Sequence, residues 1–276
     1  MGGSLHLTLG LLAVGGDMAE ATARWILARS TRSGDLKRTL KGLESAGSIT
    51  IRSDRPIDQR LLRLTGGARC RLLGGAHPEA EWRRGWDGIW RMVVFDVPES
   101  STALRTRLRR RLHEFRFGWL QNSVWISPHP VDAFRQALGE LALVPESLAY
   151  FEVRPIGGES HTALVEGAWD FPGIIRKYAA YRRILQLHPD QTTGTAAAWF
   201  RWLEAEHRAW MSIARCDPYL PLELQPPGYP GQLAWTERRE ALHAFARGIE
   251  NCSRTQSRSI RAVRRRRYSG LARVGS

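Results

Sequence analysis

From Trp90 onward the hydrophobic period of the chain changes in a fixed order, and that order limits the folds open to it. WRMVVFDVP, residues 90–98, has an apolar, β-branched centre and reads as a strand. Ser100 can cap a strongly cationic helix reaching about Phe117, and QNSVWI, from Gln121 to Ile126, reads as a second strand region. A helix from Val131 to Leu143 and a strand LAYFEVRPI, from Leu148 to Ile156, complete the set. Strand, helix, strand region, helix, strand fits a small ferredoxin-like β-α-β-β-α-β sandwich.

Ahead of it, residues 5 to 73 parse as three helices and a hairpin. Leu5, Leu7, Leu9, Leu11 and Leu12 suit a first core helix ended by Gly15 and Gly16. Asp17 is placed to cap a second helix from Met18 to about Ala28, with Ala21, Trp25 and Ala28 on one face. After a polar turn, Ser30 to Gly34, a third helix from Asp35 to about Ala46 turns Leu36, Leu40 and Leu43 inward, and Gly47 is its natural stop. Strands from Ser48 to Arg52 and from Arg60 to Thr65 then flank a polar turn through Asp54, Arg55, Pro56 and Asp58.

Helix, turn, helix, hairpin is the order of a winged helix-turn-helix. The helix before the hairpin enters the major groove and the wing touches flanking backbone, so both need cationic side chains. Lys37, Arg38 and Lys41 are the candidates for the groove, and Arg52, Arg55 and Arg60 for the wing, with Arg63 adding charge. The same pattern also fits ordinary solvated charges on an amphipathic helix.

Four Gly, one Pro and clustered charge around Trp82 and Trp86 mark residues 74–88 as a linker or domain edge. Residues 168–250 read as mostly helical, with Ile174, Tyr178, Tyr181 and Leu185 at helical spacing, a Trp-rich helix from Ala196 to Ile213 and a final helix from about Leu233 to Ile249. DPYLPLELQPPGYPG, Asp217 to Gly231, is too rich in Pro for helix or central strand and is expected to wrap the surface. The expected organisation is α+β: a winged-helix domain at 1–75, a linker at 76–88, a ferredoxin-like domain at 89–160, a mainly helical domain at 161–250 and a disordered basic tail at 251–276.

Charge supports a polyanionic partner. Forty-one Lys and Arg against 27 Asp and Glu give a net charge of +14, and eight Arg with no acidic residue fall in 251–276. No stretch approaches the roughly 20 apolar residues of a membrane span, which points to a cytoplasmic protein. Cys70, Cys216 and Cys252 lie far apart, so neither a disulfide framework nor a cysteine-rich metal site is written here. HExxH, GxSxG, P-loop and GxGxxG patterns are missing and the eight His are scattered, so no enzyme and no cofactor is expected.

WDGIWRMVVFDVPES, the basic helix after it and FGWLQNSVWISP resemble the central domain of the PaaX family of repressors of phenylacetate degradation. DPYLPLELQPPGYPG resembles that family's C-terminal signature, and the two strings stand in the expected order behind LKRTLKGLESAGSI and LLRLT. The resemblance implies a homodimeric transcriptional repressor that binds a double-stranded DNA operator and releases it when an aryl-CoA thioester, phenylacetyl-CoA in the name-giving case, binds elsewhere. Such an effector asks for cations at its phosphates and an apolar slot for its aryl group. Tyr178, Arg182, Arg183, Trp202 and Trp210 are residue types that could serve, although packed helix core uses the same types.

The central domain is also similar to the ferredoxin-like subunit of CRISPR adaptation, a proposed metal-dependent nuclease whose first strand ends in an aspartate at the position of Asp96. With Glu99 nearby, one carboxylate per chain facing its twin could hold Mg²⁺, or Asp96 and Ser100 could simply shape the turn before the helix. A third reading is nonspecific nucleic-acid packaging by the Arg tail.

Overall fold

The computed structural model describes residues 18–19, 36–51, 61–140, 147–156 and 160–271. In chain order these are β1 (Met18–Ala19), α1 (Leu36–Ser45), β2 (Ile49–Ile51), β3 (Leu61–Leu64), α2 (Gly66–Leu72), α3 (Pro78–Trp82) and β4 (Trp90–Asp96). A 3₁₀ turn (Glu99–Ser101), α4 (Thr102–Glu114), β5 (Gly118–Gln121), β6 (Val124–Ser127), α5 (Asp132–Glu140) and β7 (Ser147–Val153) follow. Then come α6 (His161–Ala168), α7 (Phe171–Gln186), α8 (Ala196–Ala214), a second 3₁₀ turn (Leu222–Leu224) and α9 (Gly231–Leu271). Two compact units emerge. One takes the described residues up to Leu72, Tyr181–Arg208 and those from Thr236 on, and the other takes Leu73–Ala180 with Ala209–Trp235.

In the first unit, α1 ends where Gly47 predicts. Gly47 adopts φ +60°, its amide donates to the Glu44 carbonyl and the Ser48 amide donates to the Leu43 carbonyl, a paired closure that needs a left-handed residue at the glycine. The chain then turns directly into the hairpin, where Ile49 pairs with Leu64 and Ile51 with Leu62. Leu40, Ile49, Leu62 and Leu64 are buried, so the apolar face of α1 and one face of the hairpin form a small core. Thr65 closes the end by donating its hydroxyl to the Gly47 carbonyl at 2.8 Å.

Met18 and Ala19 depart from expectation, pairing as a strand with Leu62 and Leu61 rather than opening a helix capped by Asp17. The unpaired side of β3 offers backbone partners there, and that tertiary pairing overrides local propensity. The rest of the expected first two helices and the wing turn lie outside the described residues.

The helical part of this unit is held by a buried ion pair and an aromatic cluster. Arg238 Nε donates to Glu206 Oε1 at 2.7 Å, both side chains 1% exposed, and the Tyr181 hydroxyl donates to the same oxygen at 2.6 Å. Trp199, Trp202 and Phe245 pack edge-on or stacked beside them. Helix α9 does not stop at Ile249 as the pattern suggests but runs on to Leu271, so the segment expected to be a disordered tail is helical in backbone. No Gly or Pro interrupts residues 249–269, and Arg, Ala and Gln are good helix formers, which outweighs the lack of an apolar face.

The second unit contains the expected β-α-β-β-α-β order. Its four-stranded sheet runs β5-β6-β4-β7 with every neighbouring pair antiparallel, the ferredoxin-like arrangement. Val93 lies between Trp125 and Tyr150, and with Phe95, Leu108, Leu112, Phe134 and Leu138 it forms the core under α4 and α5. The segment from Gln121 to Ile126, read as one strand region, is a hairpin turning at Asn122 and Ser123. Asn122 takes φ +39°, a conformation its short polar side chain tolerates.

Ser100 does not cap α4, whose N-cap is Ser101 without a side-chain hydrogen bond, because the 3₁₀ turn carries the chain into the helix. The expected linker contains α3, begun by Pro78 at a position where the missing amide costs nothing. The Pro-rich segment does not stay on the surface: Asp217, Tyr219, Leu220 and Leu224 are buried.

Candidate functional site

Burying a turn segment such as 217–224 demands partners for its backbone, and the second unit supplies them from side chains, with Gln225 donating to the Leu220 carbonyl at 2.9 Å and Arg116 and Asp217 serving the head of the segment. Arg116 stands just after α4 in a left-handed conformation, φ +63°. Its guanidinium donates to the carbonyls of Ala214 at 2.8 Å, Asp217 at 2.7 Å and Gly74 at 3.0 Å, and lies 4.5 Å over the Tyr219 ring. From the other side the Asp217 carboxylate accepts from the hydroxyls of Tyr178 at 2.6 Å and Tyr229 at 2.7 Å and from the Tyr219 amide at 2.8 Å. Burial pushes the Asp217 carboxyl up from its ordinary range and pushes both tyrosines well above theirs.

Beside this knot is a cavity of about 220 Å³, formed where the start of β5, the turn from α6 into α7 and the end of α8 meet. Its walls include Phe117, Trp119, Trp169 and Ile174, and Lys177, Arg215, Cys216 and Asp170 border it. Lys177 Nζ donates to Cys216 Sγ at 3.2 Å, while burial raises the thiol pKa despite that cation. The sequence gives Arg116, Trp169 and Lys177 no distinguishing motif. Asp217 stands at the head of the Pro-rich string, which was readable as a signature but not as a hydrogen-bonding centre.

The residues singled out from sequence fall in several places. Arg38 and Lys41 are exposed on α1, which also carries Lys37, and Arg52, Arg55 and Arg60 lie outside the described residues. Tyr178 is fully buried on Asp217, and Trp210 is buried against Trp235 with ring centroids 5.3 Å apart. In the first unit, Trp202 donates to the Ile184 carbonyl at 2.8 Å, Arg182 forms a two-pronged ion pair with Glu237, and Arg183 is exposed. None of the five lines the cavity. Asp96 ends β4, exposed and paired in register with Ser147. Among the described residues no group of three or more His, Cys, Asp or Glu could hold a metal ion, and no helix is long and apolar enough to cross a membrane.

Topology and register therefore define an α+β chain with two antiparallel sheets, the larger one ferredoxin-like. Residues 83–165 match the family model described as the PaaX protein central Cas2-like domain. Among solved structures the chain is similar to uncharacterized protein Rv0674 from Mycobacterium tuberculosis, with a TM-score of 0.54 and 22% identity over 91% of this chain and 97% of that one. That likeness is one of fold. No curated protein matches the chain.

Proposed function

We propose that the chain is a DNA-binding transcriptional regulator of PaaX type, acting as a homodimeric repressor of an aromatic-acid catabolic operon. One observation carries the reading: a helix with outward Arg38 and Lys41, closed by Gly47 directly into a β-hairpin, stands ahead of a PaaX-type central domain. In this reading Lys37, Arg38 and Lys41 meet the major groove, and Arg52, Arg55 and Arg60 meet backbone from the wing. Two such helices spaced by about one turn of DNA, roughly 34 Å, would multiply a weak half-site contact. The division into winged helix, linker, central domain, helical domain and basic tail belongs to the same proposal, as does action in the cytoplasm.

Release of the operator is assigned to an aryl-CoA thioester. The thioester must bind the non-operator conformation more tightly than the operator-bound one, since equal affinity shifts nothing. Of the five side chains considered for its contacts, Arg183 remains exposed for a phosphate, whereas Tyr178, Trp202, Trp210 and Arg182 are engaged within the fold.

Replacing Arg38 with Ala tests the groove assignment. Loss of discrimination between operator and competitor DNA supports base reading by Arg38. Uniform weakening on all sequences assigns it to phosphate, and unchanged binding removes α1 from the interface.

A further inference from the structure

We infer that helix α4 of the second unit, Thr102–Glu114, is a docking surface for the phosphate backbone of duplex DNA, separate from α1 and its hairpin and indifferent to base sequence. Calling that DNA the flank of an operator rests on the regulator reading above, while affinity for the backbone rests on α4 alone.

The burial of the helix decides which residues it can offer. Leu108 and Leu112 are fully buried in the core under the sheet and Leu104 packs partly buried beside them, so a spacing of four fixes one inward face. At about 100° per residue, Arg107 and Arg109 then leave the two flanks and Arg110 the outer side. All three are exposed, and so are the short residues Thr102, Ala103 and Thr106 between them. The outer side is low and fringed by long cations, a shape that a rigid polyanion can approach closely.

Charge on this helix exceeds what the fold uses. TALRTRLRRRLHE holds five Arg and one Glu. Arg105 donates to the Val97 carbonyl at 2.7 Å, and Arg111 pairs with Glu114, which Arg110 reaches only at 3.7 Å. Among the described residues no carboxylate pairs with Arg107 or Arg109. Around α3 and β4, by contrast, Arg83 is matched with Glu79, Arg84 with Glu81 and Arg91 with Asp87. Like charges three or four residues apart destabilise a helix, and 105/109, 107/110 and 107/111 are such pairs. A helix needed only for packing gains nothing from that repulsion, whereas a bound polyanion removes it. His113 records the unneutralised charge, held below its ordinary range first by burial and then by Arg109.

Duplex DNA suits this surface better than other polyanions. It presents one charge per about 1.7 Å of axis, so cations on both flanks and the outer side meet phosphates in any register. Guanidinium groups donate in pairs to phosphate oxygens, and the cations of α4 before His113 are all Arg. Single strands ask for aromatic platforms, and α4 contains no Trp, Tyr or Phe. Arg107 and Arg109 diverge from opposite flanks instead of converging on one base edge, and contacts to phosphate carry no sequence information.

Anisotropy titrations of the full chain test this on two duplexes of equal length, one from upstream of its own gene and one of mixed sequence, over a range of salt. Arg107→Gln combined with Arg109→Gln should weaken both duplexes alike, about tenfold or more near physiological salt. The salt slope should become shallower by about 2, since each phosphate contact contributes roughly 0.9. Arg107→Lys with Arg109→Lys keeps the charge and should keep the slope. Relief of repulsion should leave the urea midpoint of the Gln variant unchanged or raised; a lowered midpoint makes the two arginines structural and overturns the inference. Equal affinity and slope in wild type and the Gln variant, or binding of neither duplex, overturns it as well, and weakening on the upstream duplex alone overturns its indifference to sequence. A preference for upstream DNA with a slope unchanged in the Gln variant keeps the regulator reading and removes this surface. Equal binding of both duplexes, with the slope reduced in the Gln variant, does the reverse.

Discussion

Arg116 and Asp217 show how single side chains let irregular backbone enter a core. Each replaces a ladder partner the segment cannot have, one donating to three carbonyls and the other accepting from an amide and two phenols. Close to Arg116, His129 records the electrostatic consequence of gathering so many cations. Its imidazole is held down from the usual 6.5 to about 4, first by burial and then by Arg84, Arg116 and Arg91. As pH falls through 6.5 the unfolded chain takes up this proton while the folded chain does not. Stability should therefore rise with pH between about 4 and 6.5. His129→Asn should flatten that slope in urea midpoints measured across the interval; identical slopes in both proteins would contradict the assignment. Most of these partners are distant in sequence, which is why Arg116 and His129 carried no signal in the chain and Asp217 was readable only as part of a signature.

Elements were legible where hydrophobic period and punctuation agree. The helix stop at Gly47, the strand at Trp90–Asp96 and the Trp-rich α8 follow from local chemistry alone, and the structure keeps them nearly to the residue. Expectation failed where a distant segment supplied the deciding contact. Met18 pairs with Leu62 and 217–224 is bonded by Arg116, whereas the break of one apparent strand into two at Asn122 is local, a tight turn inside an apolar run. The groove candidates were legible as a charge pattern on α1. The cavity was not, because Phe117, Trp169 and Lys177 belong to different elements and only β5 lying on the α6–α7 turn brings them together. That close approach depends on Gly118, so Gly118→Val should cost about 1–3 kcal/mol by overpacking against Ala168 and Trp169. Wild-type stability in a denaturant titration of the variant would show that the strand and turn are not so tightly apposed.

For the molecule as a whole, charge and architecture make separate demands on DNA. Eight of the chain's Arg lie beyond Cys252, seven of them on α9, far in sequence from the helix proposed to read bases. On the same helix, Asn251 and Cys252 bond to the carbonyls of Gln191 and Gly194. Removing residues 254–276 should lower affinity for every DNA and reduce its salt dependence, while the preference for operator over competitor is retained. Loss of nearly all binding would mark the tail as the whole interface. The most direct test of the central claim is a gel-shift titration on DNA from upstream of the chain's own gene, with excess competitor and Mg²⁺, with and without phenylacetyl-CoA. The regulator reading predicts a complex that survives the competitor and dissolves with the thioester. A complex that competitor removes, or cleavage of the probe that disappears in Asp96→Ala, would contradict it.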